Sequence, residues 1–246
     1  MQYSFGSGVL YGRKIPLTGV ATPVRFGALQ GVSIDISYTT KELFGQKQFP
    51  LAIGRGTGKI TGKAQFGQFN AQALNDLFFG ETADPATGQT VTKNAEAQTI
   101  TANVVTVTNN ATFARDLGVI KAADGTPYVR VSNGPVGQQY SANESTGVYT
   151  FNSSQNNTNV KVSYQYTDAA NGKTITITNQ DLGSSPVFLA VLNETFNGKA
   201  ISLKLNACQS SKLTMATKLE DFTIPDFDFM AFADEADVIG TLSLAE

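Results

Sequence analysis

The sequence predicts a mainly β protein of antiparallel strands with one short helix, and three observations carry that expectation. Period-two alternation recurs along the chain: Val32, Ile34, Ile36 and Tyr38 alternate with Ser33, Asp35, Ser37 and Thr39. Val160, Val162, Tyr164 and Tyr166 alternate likewise with Lys161, Ser163 and Gln165. Such strands give one face to a core and the other to water or a partner. Thr, Asn, Gln, Ser and Gly fill much of the remaining sequence, which suits strands and turns better than long helices. Only one segment reads as a helix, over 70–80. Asn70 caps it, Ala71, Leu74, Leu77 and Phe78 form an i, i+3, i+4 stripe, and Gly80 stops it. That stripe is read as core contact.

Taken in order, residues 40–51 read as a long connection that carries Leu43, Phe44 and Phe49. Solvent-facing loops rarely hold so many large apolar residues, so these bury against either a partner or their own core. A strand is expected from Ile60 to Phe69. Residues 83–183 open with a Pro- and Gly-bearing loop and continue through short strands with frequent Gly and Asn turns. They read as a β insertion of roughly immunoglobulin-like size, or as an extension of the same sheet, with 99–108 and 173–179 pairing at its two ends. Asn171-Gly172 suits a tight hairpin turn before an alternating Thr174–Thr178 strand. In 200–208, Ile201, Leu203, Leu205 and Ala207 share one face, which leaves Cys208 on the other. The stretch 218–237 reads as a Phe-rich acidic strand, with Phe227 and Phe229 as anchors and Asp226 and Asp228 facing a partner.

Charge is distributed unevenly. Residues 1–63 hold eight bases and two acids, about +6, while 220–246 hold eight acids and no base, about −8. The two ends meet either within one subunit or between copies stacked head to tail. With 246 residues there is material for one large β domain or two small ones. The sequence has no histidine, so it lacks the usual general acid/base near neutral pH and the commonest metal ligand. A single cysteine permits neither an intrachain disulfide nor a Cys-based zinc site. Residues 1–14 show no basic and apolar export pattern, and no apolar run is long enough to span a bilayer, so residence in a cytosol-like compartment is expected. The Asn-x-Ser/Thr triplets are then chance matches.

Three chemical motifs bear on function. Gly54-Arg55-Gly56-Thr57-Gly58-Lys59-Ile60 looks like a phosphate-binding loop, but the required first glycine falls at Ile53 and Ile60 replaces the Ser/Thr after the lysine. Read with period two, Gly54, Gly56, Gly58, Ile60, Gly62 and Ala64 form a small-residue face that lets another backbone approach closely. Arg55, Thr57, Lys59, Thr61 and Lys63 form the polar face. Asp226 and Asp228 are paired carboxylates, yet such pairs are common on strands, and the chain has no Trp for sugar stacking. A nucleic-acid reader would interleave bases with aromatics, which the basic N-terminal quarter does not do. No enzymatic activity, cofactor or metal is expected.

Lys41-Glu42-Leu43-Phe44-Gly45-Gln46-Lys47-Gln48-Phe49-Pro50, followed by Gly58-Lys59-Ile60-Thr61-Gly62-Lys63, resembles the major tail tube proteins of long-tailed bacteriophages with non-contractile tails. The ending Leu77-Phe78-Phe79-Gly80 fits the same family, as does the acidic-aromatic C-terminal stretch. The resemblance covers 1–82 and 184–246, and leaves 83–183 as an insertion that would decorate the tube exterior. It implies an antiparallel β-sandwich or barrel flanked by the helix, with long loop extensions. It also implies self-assembly into stacked, usually hexameric rings, and location in the virion tail after assembly in the bacterial cytoplasm. Implied partners are further copies of the chain, a tape measure protein, and tail terminator and baseplate proteins. DNA would pass only as non-specific lumen cargo. By the same resemblance, Leu43, Phe44, Lys47, Phe49 and Pro50 are expected in a ring-stacking loop. Arg55, Lys59, Lys63, Asp226 and Asp228 are expected on intersubunit or lumen strands, around a neutral to acidic bore. Other classes left open are a single-ring tail-completion or baseplate component and a carbohydrate-binding adhesin module.

Overall fold

Long alternating runs produce long strands. The computed structural model describes residues 3–15, 20–68, 70–81 and 85–245. Its first strands are β1 (Val9–Lys14), β2 (Val24–Arg25), β3 (Gly27–Phe44) and β4 (Pro50–Gln68), followed by the helix α1 (Ala71–Leu74). The middle of the chain forms β5 (Ala86–Thr99), β6 (Val104–Thr106), β7 (Phe113–Lys121), β8 (Val129–Arg130), β9 (Gln139–Asn143), β10 (Val148–Phe151) and β11 (Asn159–Thr174). The last strands are β12 (Val187–Phe196), β13 (Lys199–Thr214), β14 (Asp226–Phe232) and β15 (Gly240–Leu244). The protein is therefore mainly β, and every described strand pair is antiparallel except β8 with β9.

The chain divides into two compact units, Met1–Pro85 with Ile175–Glu246, and Ala86–Thr174. The expected boundary at 82/83 lies outside the described residues, as does Phe69 at the end of its expected strand. On the return side, the second unit ends at Thr174 rather than at 183, because β11 pairs with β5 only as far as Thr174↔Ala86. Residues 175–186 form no strand, so the expected Thr174–Thr178 strand is absent. Asn171-Gly172 sits instead in a bulge of β11 between Asp168 and Lys173. There the Asp168 carboxylate accepts from the amides of Ala170 and Asn171, a local side-chain turn that competes with hairpin formation.

In the first unit the sheet order is β2-β1-β12-β13-β14-β4-β3, with β15 added on β13. The strands at the two ends of that order, β2 and β3, are separated in sequence only by Phe26, so the sheet has to curl on itself. Phe26 lies inside the curl, with its amide donating to Leu10 O at 3.0 Å and its ring 5.3 Å from Phe66 and 5.5 Å from Phe227. Phe188, Phe227, Phe229, Leu205 and Leu77 complete this core. The helix forms where expected: Asn70 Oδ1 accepts from the amides of Gln72 and Ala73. Its second turn, Asn75–Phe79, widens to a π-turn, with Gly80 N donating to Asn75 O at 2.7 Å. Cys208 is buried on the core face, contrary to the simple alternation. A bulge in β13 opposite Phe188 and Ala190 puts it there, and burial pushes its thiol up to about 12.

The second unit packs a three-stranded sheet, β5-β11-β7, and a four-stranded one, β6-β10-β9-β8, around one shared core that includes Val160, Val162, Tyr149 and Tyr164. Its first and last strands are neighbours in one sheet, whereas an immunoglobulin domain places them in different sheets. The expected pairing of 99–108 with 173–179 is replaced by β5 with β11. Buried polar groups here are paired. Asp116, 3% exposed, accepts from the hydroxyls of Tyr140 at 2.7 Å and Tyr149 at 3.0 Å, beside Arg130. Burial alone would raise the Glu96 carboxyl. Hydrogen bonds from Tyr164, Gln98 and Thr108 outweigh that and hold it below the usual range.

Candidate assembly surface

The β3–β4 pair is longer than the sheet that supports it. β14 pairs with β4 only from Gln65 to Ile60, while β3 stays paired with β4 out to Phe44↔Pro50. Residues 37–44 and 50–59 therefore form a two-stranded arm, roughly 25 Å long at ~3.3 Å per residue. The expected loop over 40–51 is in fact the distal part of this arm, and only residues 45–49 lie outside its strands. The alternation of β3 runs unbroken past the body, which is why a hairpin forms there.

Register fixes which residues share a face. Val32, Ile34 and Ile36 stand opposite Ala64, Gly62 and Ile60, and Tyr38 stands opposite Gly58. This is the core face, because β14 places Phe227 opposite Ala64 and Phe229 opposite Gly62. Two glycines are required by close approach. A Cβ on Gly62 would collide with the Phe229 ring, and one on Gly58 would stand 2.8 Å from the Tyr38 ring. The phosphate-loop look-alike is thus a strand made thin for aromatic side chains.

A bulge between Tyr38 and Thr40 puts Arg55 opposite Thr40, so Arg55 moves to the core face. Its guanidinium lies 4.2 Å from the centre of the Tyr38 ring. Thr39 and Thr57 bond across the other face at 3.2 Å. Beyond that point Ile53, opposite Glu42, and Phe44, two residues on from Glu42, continue the core face along the arm, with Leu51 beside them in a second bulge between Ala52 and Pro50. Ile36, Tyr38, Phe44, Leu51 and Ile53 are all at least half-exposed, at 50–69%. Leu43 lies on the opposite face. Phe49, 80% exposed, sits at the tip with Lys47, and Pro50 opens β4. An isolated two-stranded ribbon is marginally stable in water, and this arm leaves its apolar face uncovered.

The outer face of the body holds the charged residues of the sequence prediction. Asp228 lies opposite Lys63 on one side and Lys212 on the other. Lys63 Nζ is 2.9 Å from Asp226 Oδ2, and Gln65 donates to Asp226 Oδ1 at 2.8 Å. The lysine and glutamine hold the Asp226 carboxyl below its ordinary range. Lys63, Asp226 and Asp228 thus come together within one subunit, while Lys59 stands exposed nearer the arm. The basic N-terminal and acidic C-terminal stretches are neighbouring strands at this point. Asp234 is also engaged locally, accepting from the amides of Ala236 and Val238 and from Asn206.

Sequence reasoning found Leu43, Phe44 and Phe49 but missed Ile36, Tyr38, Leu51 and Ile53 as parts of the same surface. The signal was the alternation itself, which continues past Tyr38 on one strand and starts before Gly54 on the other. It also read 218–237 as one strand. In the structure residues 215–225 are outside any strand, with Leu219 93% and Phe222 87% exposed. Apolar spacing is irregular from Leu219 to Ile224, and Pro225 ends the stretch. Among the described residues no three acidic, Cys or His side chains are grouped to hold a metal ion, and no helix is long and apolar enough to cross a membrane.

A family model described as "Protein of unknown function UCP028589" matches residues 3–236. No curated protein matches the chain.

Proposed function

The chain belongs to that family, UCP028589, and from this premise we propose that it is a structural protein that self-assembles into stacked rings, the tube of a long non-contractile phage tail. The arm carries this reading. It extends an apolar core face beyond the body that could cover it, and a second copy is the partner always at hand in an assembly of one chain. Covering a large apolar side chain contributes about 2 kcal/mol, so five of them offer on the order of 10 kcal/mol before the costs of association. The resemblance of 41–50 and 58–63 to tail tube proteins points the same way. In this reading Leu43, Phe44, Lys47, Phe49 and Pro50 form the stacking contact, and free strand edges such as that of β3 are covered by neighbouring subunits.

The outer face around β14 suits a conduit. Asp35, Asp226 and Asp228 there balance Lys59, Lys63 and Lys212, three against three. A bore lined by this face offers no net positive charge to grip phosphate. Copies of the chain, a tape measure protein, and terminator and baseplate proteins would be its partners in the virion, with no catalytic step and no cofactor.

Negative-stain microscopy of purified protein at rising concentration tests the proposal, and hollow tubes of uniform diameter are expected. A protein that stays monomeric up to millimolar concentration overturns it. Single closed rings that never stack would instead favour a tail-completion or baseplate component.

A further inference from the structure

Two apolar surfaces of the first unit lack cover, and they lie at opposite ends of the same strands. The arm leaves the sheet beyond Ile60 of β4. Residues 215–225 connect β13 to β14 at the other end, where Thr214, Asp226 and Gln65 lie side by side. Twelve residues of β4 separate Ile53 from Gln65, roughly 40 Å of extended strand. In the structure the two surfaces therefore stand apart within one subunit.

The connection itself is unusual. It holds Met215, Leu219, Phe222 and Ile224, all exposed, over eleven residues without a strand. Its own bonds are slight: the Phe222 amide turns back to Asp221 Oδ1 at 2.8 Å, and Lys218 lies 3.8 Å from Asp221. The two segments as wholes differ in the sign of their net charge, while on the arm's apolar face itself Arg55 and Glu42 offset each other. Residues 37–59 carry Lys41, Lys47, Arg55 and Lys59 against Glu42, so 4 − 1 = +3. Residues 215–225 carry Lys218 against Glu220 and Asp221, so 1 − 2 = −1.

We propose that residues 215–225 are the acceptor for the arm of the next copy, with Leu219 and Phe222 seated on the arm's Tyr38–Ile53–Leu51–Phe44 face. The contact rests on the stacking reading above and names its second half. Because donor and acceptor surfaces are different and lie at opposite ends, each added copy presents a new free end. This is a heterologous contact that grows without closing. It also gives a role to Leu219 and Phe222, which stay exposed outside any strand.

The test is complementation between two defective variants. A Leu219→Ser/Phe222→Ser variant loses the acceptor but keeps its arm, and a Phe44→Ser/Phe49→Ser variant does the reverse. All four residues are exposed, so both variants keep the wild-type melting temperature. Each alone is expected to need at least a hundredfold higher concentration before light scattering rises. Mixed in equal amounts, they are expected to form complexes by sedimentation that stop growing, since only one working contact exists between them. As a direct measure, Phe44→Cys and Phe222→Cys variants mixed under oxidation should cross-link, the native Cys208 being buried. Wild-type growth by the acceptor-defective variant, or no association on mixing, overturns the acceptor assignment while tube formation by the unaltered chain stands. Failure of the unaltered chain to assemble at all overturns the stacking reading instead.

Discussion

The two compact units manage their surfaces in opposite ways. Ala86–Thr174 closes two sheets over one core and pairs its buried polar groups, as Asp116 with Tyr140 and Tyr149 and Glu96 with Tyr164 show. Met1–Pro85 with Ile175–Glu246 has an equally dense aromatic core around Phe227, yet runs two of its strands well past it with apolar residues uncovered. The first arrangement is what a domain needs to be stable alone. The second leaves apolar surface that the proposed assembly would bury. The contrast also separates kinds of apolar exposure. Single exposed residues such as Val129 and Val136 need no explanation, whereas a face continuous with the core does.

The largest expected effect is on assembly. Two phenylalanines at about 2 kcal/mol each give about 4 kcal/mol, so Phe44→Ser with Phe49→Ser should raise the critical concentration close to a thousandfold, measured by sedimentation. Calorimetric melting of the same variant should match the unaltered chain. A large loss of stability would mean that the arm packs on its own subunit.

Next, residues 86–174 produced alone should fold cooperatively and remain monomeric at high concentration, which circular dichroism and sedimentation would report. An unfolded or aggregated fragment would end the claim of self-sufficiency. Within that unit, Glu96→Ala should cost about 2 kcal/mol, since it removes a charged acceptor from Tyr164, Gln98 and the Thr108 amide. Tube formation should survive the change.

The same carboxylate sets a pH dependence. Its folded value lies below the unfolded one, so its stabilisation is complete above the unfolded value, about 4.3. It is lost as pH falls through the folded value. Melting of the 86–174 unit should therefore drop below about pH 4, and a Glu96→Gln variant should flatten that drop. The smallest effect belongs to Lys63→Ala. Its ion pair with Asp226 is solvent-exposed and contributes little, so a shift of several degrees in melting would show that the outer charged face matters more than its exposure implies.

Much of this architecture could be read from the residues. Alternation at 32–38 and 160–166 marked strands that exist, and Asn70 and Gly80 bounded the helix. Leu43, Phe44 and Phe49 stood out because large apolar residues beside Gly45 and Pro50 have no local reason to be there. What stayed hidden depended on register. Arg55 belongs to the core face only because of a bulge at Tyr38–Thr40, and Cys208 is buried only because of one in β13. A bulge inverts every side chain beyond it, and nothing local in the sequence announces it.

By itself the sequence determined the strand-rich class and the helix with its caps, because these follow from side-chain period and residue type. The tertiary structure alone decided that the acidic C-terminal strand pairs with the basic β4, that the phosphate-loop look-alike is a strand thinned for Tyr38 and Phe229, and that the arm and residues 215–225 lie at opposite ends of one sheet. Those are matters of which strand lies beside which. Non-local pairing is chosen by the whole core, which only the folded chain brings together.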